Sequence, residues 1–223
     1  MPSFPDQRRA MVERYRRAGY VTSRSVAEAM MKVPREEFMD PSDREYAYYD
    51  QPFPIPGDGR QTISAPYMYP CTYESLSLGP GTRFLEVGAG SGYGAALARE
   101  LVGAEGLVVA LEINSDTYEF ARDNLKRTGY DDVVLVLGDG SLGHLERAPY
   151  EAVSVTASTP AVPPPLLEQL ASPGRLIAPV GGMDLYGQDL MLIEKDEGGA
   201  VKERCLMKVA YVPLTGEHGW QRR

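Results

Sequence analysis

The stretch Glu86-Val87-Gly88-Ala89-Gly90-Ser91-Gly92 places alternating glycines directly after a short apolar run. Glycines at that spacing let backbone N–H groups come close to a ligand. A dinucleotide fingerprint, GxGxxG, would put its third glycine where this chain has Tyr93. Glu86, two residues before the first glycine, is equally informative. A carboxylate there repels a pyrophosphate and suits an amine or another cation. Glu112 comes roughly 20 residues later, where an acid bonds ribose hydroxyls. Asp139-Gly140 ends a third apolar run and offers an acceptor for an adenine amine and bare backbone for the ring. On its own GxGxG is a tight turn. With acids after two apolar runs and Gly138-Asp139-Gly140 after a third, the pattern fits a ligand with an amine, a cationic centre, a ribose and an adenine but no phosphate. S-adenosylmethionine is such a ligand. A nicotinamide cofactor is the second choice, disfavoured by Glu86 and by the spacing.

Alternating strands and helices are needed to bring these residues together. Strands are expected over Phe84–Val87, Leu107–Ile113, a run ending at Gly138, and Ala152–Ala157, each a nearly continuous apolar run. Helices are expected after Gly92, from Asn114 or Ser115 to Leu125 with Gly129 as the stop, and at Pro163 onward in "PPPLLEQLA". This alternation implies a doubly wound, Rossmann-like parallel sheet covered on both faces, with its ligand at the carboxyl ends of the strands. Glu86 to Gly92, Glu112, Gly138 to Gly140 and Thr156 should therefore converge. Helices are expected at Asp6–Ala18, Arg24–Met31, a short one from Pro34, and Met68–Leu78. The prolines and glycines between Tyr48 and Ser64 argue against regular structure there. The tail from Gln188 to Pro213 alternates like antiparallel strands. We divide the chain into an N-terminal helical extension and lid, residues 1–58, and an S-adenosylmethionine-binding domain, 59–223, packed as one compact unit.

With 223 residues and 43% hydrophobic content the chain can bury a full core. A net charge of -8, from 31 acidic and 23 basic residues, makes nucleic acid and anionic membranes poor partners. The arginines between Arg8 and Arg17 read as the solvated face of a first helix. Two cysteines, Cys71 and Cys205, and two histidines, His144 and His218, stand far apart, so neither a disulfide framework nor a metal site is expected. No signal-peptide core and no run long enough to span a bilayer is seen, which places the protein in the cytoplasm.

"GRQTISAPYM", Gly59 to Met68, is a polar loop with hydroxyls, a glutamine and a tyrosine just before the glycine loop. Together with "VPREEF", "AYYDQPFPI", "LEVGAGSGYGAALA", "GDGSLG", "APYEAVSVTA", "LLEQL", "LIAPVG" and "VAYVPLTGEHGW", it resembles the protein-L-isoaspartate O-methyltransferase family, from Val33 to Trp220. The ending looks most like archaeal members. The resemblance implies a class I S-adenosylmethionine-dependent fold. The implied reaction is methyl transfer to the α-carboxylate of L-isoaspartyl residues in damaged proteins, with S-adenosylhomocysteine as product. The ester then collapses to a succinimide, which starts repair. Ser64 matches the serine that orients the acceptor carboxylate and is the implied catalytic residue. Thr62 matches a residue lining both cofactor and acceptor. The cofactor loop covers Glu86, Val87, Gly88, Ala89, Gly90, Ser91 and Gly92. Ile63, Ala65, Tyr67 and Val212 fall at substrate-facing positions, and Gln61 helps shape the lid. Tyr67 stands where the family usually has histidine, and "GDGR" lengthens the lid. No metal is implied, and a monomer is expected.

The residue types agree with that chemistry. A carboxylate acceptor is already ionised at neutral pH and needs no general base. It needs placement, and uncharged donors place it without over-stabilising the ground state. One rival is a relative that methylates unmodified aspartate in a specific substrate, motivated by Tyr67 and the longer lid. It would be expected to carry an added recognition region, whereas this sequence ends three residues past the last matching stretch. Another rival is a non-catalytic binding protein, which the intact glycine loop and Ser64 disfavour.

Overall fold

The computed structural model describes residues 2–182 and 187–220. Helix α1 (Phe4–Ala18) is capped by the Ser3 hydroxyl and ends at Gly19, whose φ of 79° permits the left-handed turn. Helix α2 (Arg24–Lys32) is capped by Ser23 in the same way. The short helix expected from Pro34 is a single 3-10 turn, Arg35–Phe38. Arg35, Glu36 and Phe38 are all buried there.

The proline-rich segment is not irregular throughout. Strands β1 (Phe53–Pro54) and β2 (Thr62–Ile63) form a two-residue antiparallel ribbon. The pairing is too short to leave a period in the sequence, and Pro54 tolerates an edge position. Helix α3 (Met68–Leu76) follows, two residues shorter than expected, with Ser77 at a left-handed cap.

The main sheet holds β3 (Arg83–Val87), β4 (Leu107–Glu112), β5 (Val134–Leu137), β6 (Tyr150–Val155), β7 (Leu170–Val180), β8 (Gln188–Lys195) and β9 (Val201–Val209). The order is β5-β4-β3-β6-β7-β8-β9. Strands β3 to β7 pair in parallel, and β8 and β9 run antiparallel. Helices α4 (Tyr93–Val102), α5 (Ser115–Thr128) and α6 (Pro164–Glu168) serve as crossovers. Helix α6 is only 5 residues long because Leu170 already enters β7. The strand order reverses between β3 and β6, so their carboxyl ends open a crevice at the switch point.

Alternate residues of one strand serve opposite cores. Phe84, Val108, Ala152 and Ile177 face a cluster that also contains Met11, Met30 and Phe38. Leu85, Val109, Val153 and Leu176 face a second cluster with Leu166 and Leu214. The N-terminal helices thus share one apolar core with the sheet. Among the described residues, no helix is long and apolar enough to cross a membrane.

Candidate active site

After β3 the chain turns sharply, and the N–H groups of Gly88 and Ala89 both donate to the Leu111 carbonyl at 2.9 Å. Gly88 has φ 92°, and a Cβ there would lie 2.4 Å from Thr156 Oγ1. Only glycine fits both demands. The Thr156 hydroxyl faces the carbonyls of Val87 and Gly88 at 3.0 and 2.6 Å and so fixes the turn from the neighbouring strand end. Glu112 closes the other side. Its carboxylate accepts from the N–H groups of Gly90, Ile113 and Asn114, each at 3.0 Å. Oε1 takes the Ile113 and Asn114 donors and Oε2 takes Gly90 alone, so Oε2 keeps a lone pair with which Glu112 can accept from a hydroxyl.

Glu86 is 2% exposed and Oε2 has no hydrogen-bond partner. Burial pushes its carboxyl up to about 8; the Ala95 N–H opposes this and the nearby Glu112 adds to it. Burial also raises Glu112, against its three backbone donors. An orphaned carboxylate oxygen in a dry site is costly unless a donor or cation arrives. Gly94 leaves room for it, since a Cβ there would lie 2.1 Å from Glu86 Oε1.

The ribbon lies across this cradle. A Cβ on Gly90 would meet Ile55 Cδ1 at 3.7 Å and the Thr62 carbonyl at 3.9 Å. Gln61 Oε1 accepts from the N–H groups of Asp58 at 2.9 Å and Arg60 at 3.3 Å, which folds "GDGR" back on itself. Thr117 Oγ1 donates to the Pro56 carbonyl at 2.8 Å and ties the lid to α5. The third wall is the segment after β9. Ser158 N–H donates to the Val212 carbonyl, and Leu214 N–H to the Ser158 carbonyl, both at 2.7 Å. Trp220 Nε1 adds a bond to the Ser158 carbonyl at 2.9 Å.

These walls border a cleft whose empty space, including the part open to solvent, is about 1000 Å³. Thr62, Ile63, Ser64, Glu86, Val87, Gly88, Ala89, Gly90, Ser91, Glu112, Gly140, Thr156 and Val212 line it. Four of the expected residues do not. Gly92 caps α4 with φ 84°. Asp139 accepts from Ser141 N–H at 2.9 Å and Glu217 N–H at 2.7 Å, so it binds the tail rather than facing the cavity. Ala65 is buried and outside the cavity wall. Tyr67 packs its ring on Tyr20 at 5.4 Å, and burial raises its hydroxyl. Val212 lies beyond the end of β9 and is held by Ser158 instead of by a ladder. Tyr69, Thr72, Tyr73 and Tyr211 also line the cavity, and the sequence did not single them out. Helical spacing from Tyr69 to Tyr73 was the available signal, but it reads equally well as core. Among the described residues, no cluster of His, Cys, Asp or Glu is arranged to hold a metal ion.

A doubly wound sheet with a glycine cradle and acids at the ends of β3 and β4 defines the class I methyltransferase architecture. The chain is similar to a solved protein-L-isoaspartate O-methyltransferase at 31% identity and TM-score 0.84, covering 95% of this chain and 67% of that one. A Plasmodium falciparum structure described as a protein-L-isoaspartate O-methyltransferase, in complex with S-adenosyl-L-homocysteine, superposes at TM-score 0.78 with 27% identity, covering 92% and 97% of the two chains. Residues 6–219 match the model of the protein-L-isoaspartate(D-aspartate) O-methyltransferase family, and the chain belongs to that family. Its relatives include the Methanopyrus kandleri protein-L-isoaspartate O-methyltransferase, 49% identical over 98% of this chain and 95% of that protein. The Methanothermobacter thermautotrophicus enzyme of the same name is 45% identical over 97% and 98%.

Proposed function

We propose that this protein transfers a methyl group from S-adenosylmethionine to the α-carboxylate of L-isoaspartyl residues in damaged proteins and peptides. One observation carries the reading. A cation-seeking carboxylate, Glu86, and an uncharged hydroxyl residue, Ser64, line the same cavity, while no lysine, arginine or histidine among the described residues lines it. Glu86 Oε2 lacks a partner and Gly88 and Gly90 carry no side chain, so the residues fit a cofactor with an ammonium group.

When bound, S-adenosylmethionine supplies a methyl group activated by its sulfonium. Glu86 would hold the ammonium end. Glu112 would accept from ribose hydroxyls, and Gly140 would lie against the adenine. Thr62, Ile63 and the rest of the ribbon would exclude water. Ser64 Oγ donates to one oxygen of the acceptor carboxylate and leaves the other free to attack in line. That oxygen needs no proton removed. Val212 would flank the substrate backbone. Once esterified, the carboxyl carbon carries methoxide as a leaving group. The following backbone nitrogen displaces it in solution, forming the succinimide and releasing methanol. Cys71 and Cys205 are free thiols, which supports a cytoplasmic setting.

The test is the chemical nature of the product. An isoaspartyl peptide incubated with the protein and labelled cofactor should gain an alkali-labile ester that releases methanol and leaves succinimide. A stable N-linked methyl group, or no transfer, would defeat the proposal.

A further inference from the structure

Arg35 is fully buried, yet no carboxylate among the described residues pairs with it. Its Nε donates to the Ala47 carbonyl and its Nη2 to the Ser64 carbonyl, both at 2.8 Å. Nη1 is buried without an acceptor. The guanidinium lies 5.3 Å from the Tyr93 ring centroid and 5.8 Å from that of Tyr69, so two aromatic faces supply its electrostatic compensation. The Tyr69 ring meets Tyr93 edge-on at 4.8 Å, which holds Tyr69 in place. The Tyr69 hydroxyl is raised by burial, opposed by Arg35 and by the facing Ser64 N–H. The Ser64 carbonyl therefore meets a fixed donor, itself held against two rings.

The neighbouring residue anchors this arrangement from the other side. Glu36 accepts from Arg8 Nη2 at 2.8 Å and from the Tyr48 hydroxyl, and Arg8 Nε donates to that hydroxyl at 2.7 Å. Arg35-Glu36 is thus a pin between α1 and the segment bearing Ser64. A buried cation with only carbonyls and rings around it is expensive to keep. Its fork geometry, which bridges two carbonyls from separate segments, is what a lysine or a neutral donor cannot reproduce.

We propose that Arg35, together with Tyr69, is a positioning residue that clamps the Ser64 peptide and so sets where the Ser64 hydroxyl stands. The inference rests on the role of Ser64 given above. Displacing that hydroxyl by an ångström costs about a hundredfold in rate, while the cradle of Gly88 to Gly90 stays untouched. R35K should therefore lower kcat on an isoaspartyl peptide by about 10- to 100-fold, no more than loss of the hydroxyl itself, with S-adenosylhomocysteine affinity by calorimetry unchanged. In an S64A background R35K should cost nothing further, because the clamp acts through that hydroxyl. Y69F, which keeps the ring, should show a smaller kcat loss with the same non-additivity, and it decides the matter if R35K does not fold. Full kcat in the folded variant, or an equal loss with and without Ser64, overturns the clamp. A slow S64A with additive R35K removes the clamp alone; S64A at full turnover removes the reading of Ser64 and the clamp with it.

Discussion

Glu86→Gln separates the electrostatic role of Glu86 from its packing, since the amide keeps shape and loses charge. In the free protein burial lifts Glu86 from 4.5 to about 8. A folded-state value above the unfolded one means the folded state holds its proton longer. Any stabilisation is then fully present below pH 4.5 and lost as pH rises through about 8. The lift corresponds to about 5 kcal/mol at about 1.4 kcal/mol per pH unit. Denaturant melts should show the wild type losing stability relative to E86Q by about 1.4 kcal/mol per unit across that window. Binding runs the other way. An ammonium ligand selects ionised Glu86, about one molecule in a hundred at pH 6 and one in ten at pH 7. The ligand amine is protonated throughout that range. S-adenosylhomocysteine should bind the wild type about tenfold tighter at pH 7 than at pH 6, releasing close to one proton. Calorimetry in buffers of different ionisation enthalpy reads both quantities. E86Q should bind weakly, without the pH slope. Parallel stability profiles for the two proteins, or binding without proton release, would refute the reasoning.

Other substitutions test separate parts of the site. S64A should lower kcat by about 10- to 100-fold, the worth of a hydrogen bond to a charged group, with cofactor affinity intact in a binding titration. Gly88→Ala forces a side chain into φ 92° and within 2.4 Å of Thr156 Oγ1. It should cost about 1–3 kcal/mol in a denaturant melt and abolish S-adenosylhomocysteine binding. Arg8→Met leaves Glu36 buried without its cation and should cost about 3–5 kcal/mol by the same melt; near-wild-type stability would show that Tyr48 alone satisfies Glu36.

The cradle is legible in the sequence because its logic is local. Glycines at fixed spacing follow an apolar run, and acids sit at the ends of two such runs. Parallel strands, buried on both faces, leave that signature. The clamp on Ser64 is not legible, because it joins residues 29 apart through backbone carbonyls. Within "VPREEF" Arg35 reads as one charge among several, and only the fold shows it buried. The β1–β2 ribbon is hidden for the opposite reason: two pairs leave too little alternation to outweigh Pro52, Pro54 and Pro56. Asp139 illustrates a third limit. An Asp-Gly after a strand fits either a ligand contact or a cap, and the choice depends on Glu217, 78 residues away.

The central claim is selectivity for the isoaspartyl linkage, and paired peptides test it directly. Two peptides of one sequence, differing only in whether the chain passes through the side-chain or the α-carbonyl of a single aspartate, are incubated with the protein and labelled S-adenosylmethionine. The account predicts label on the isoaspartyl peptide and none on its aspartyl twin. Equal labelling of the two would contradict it.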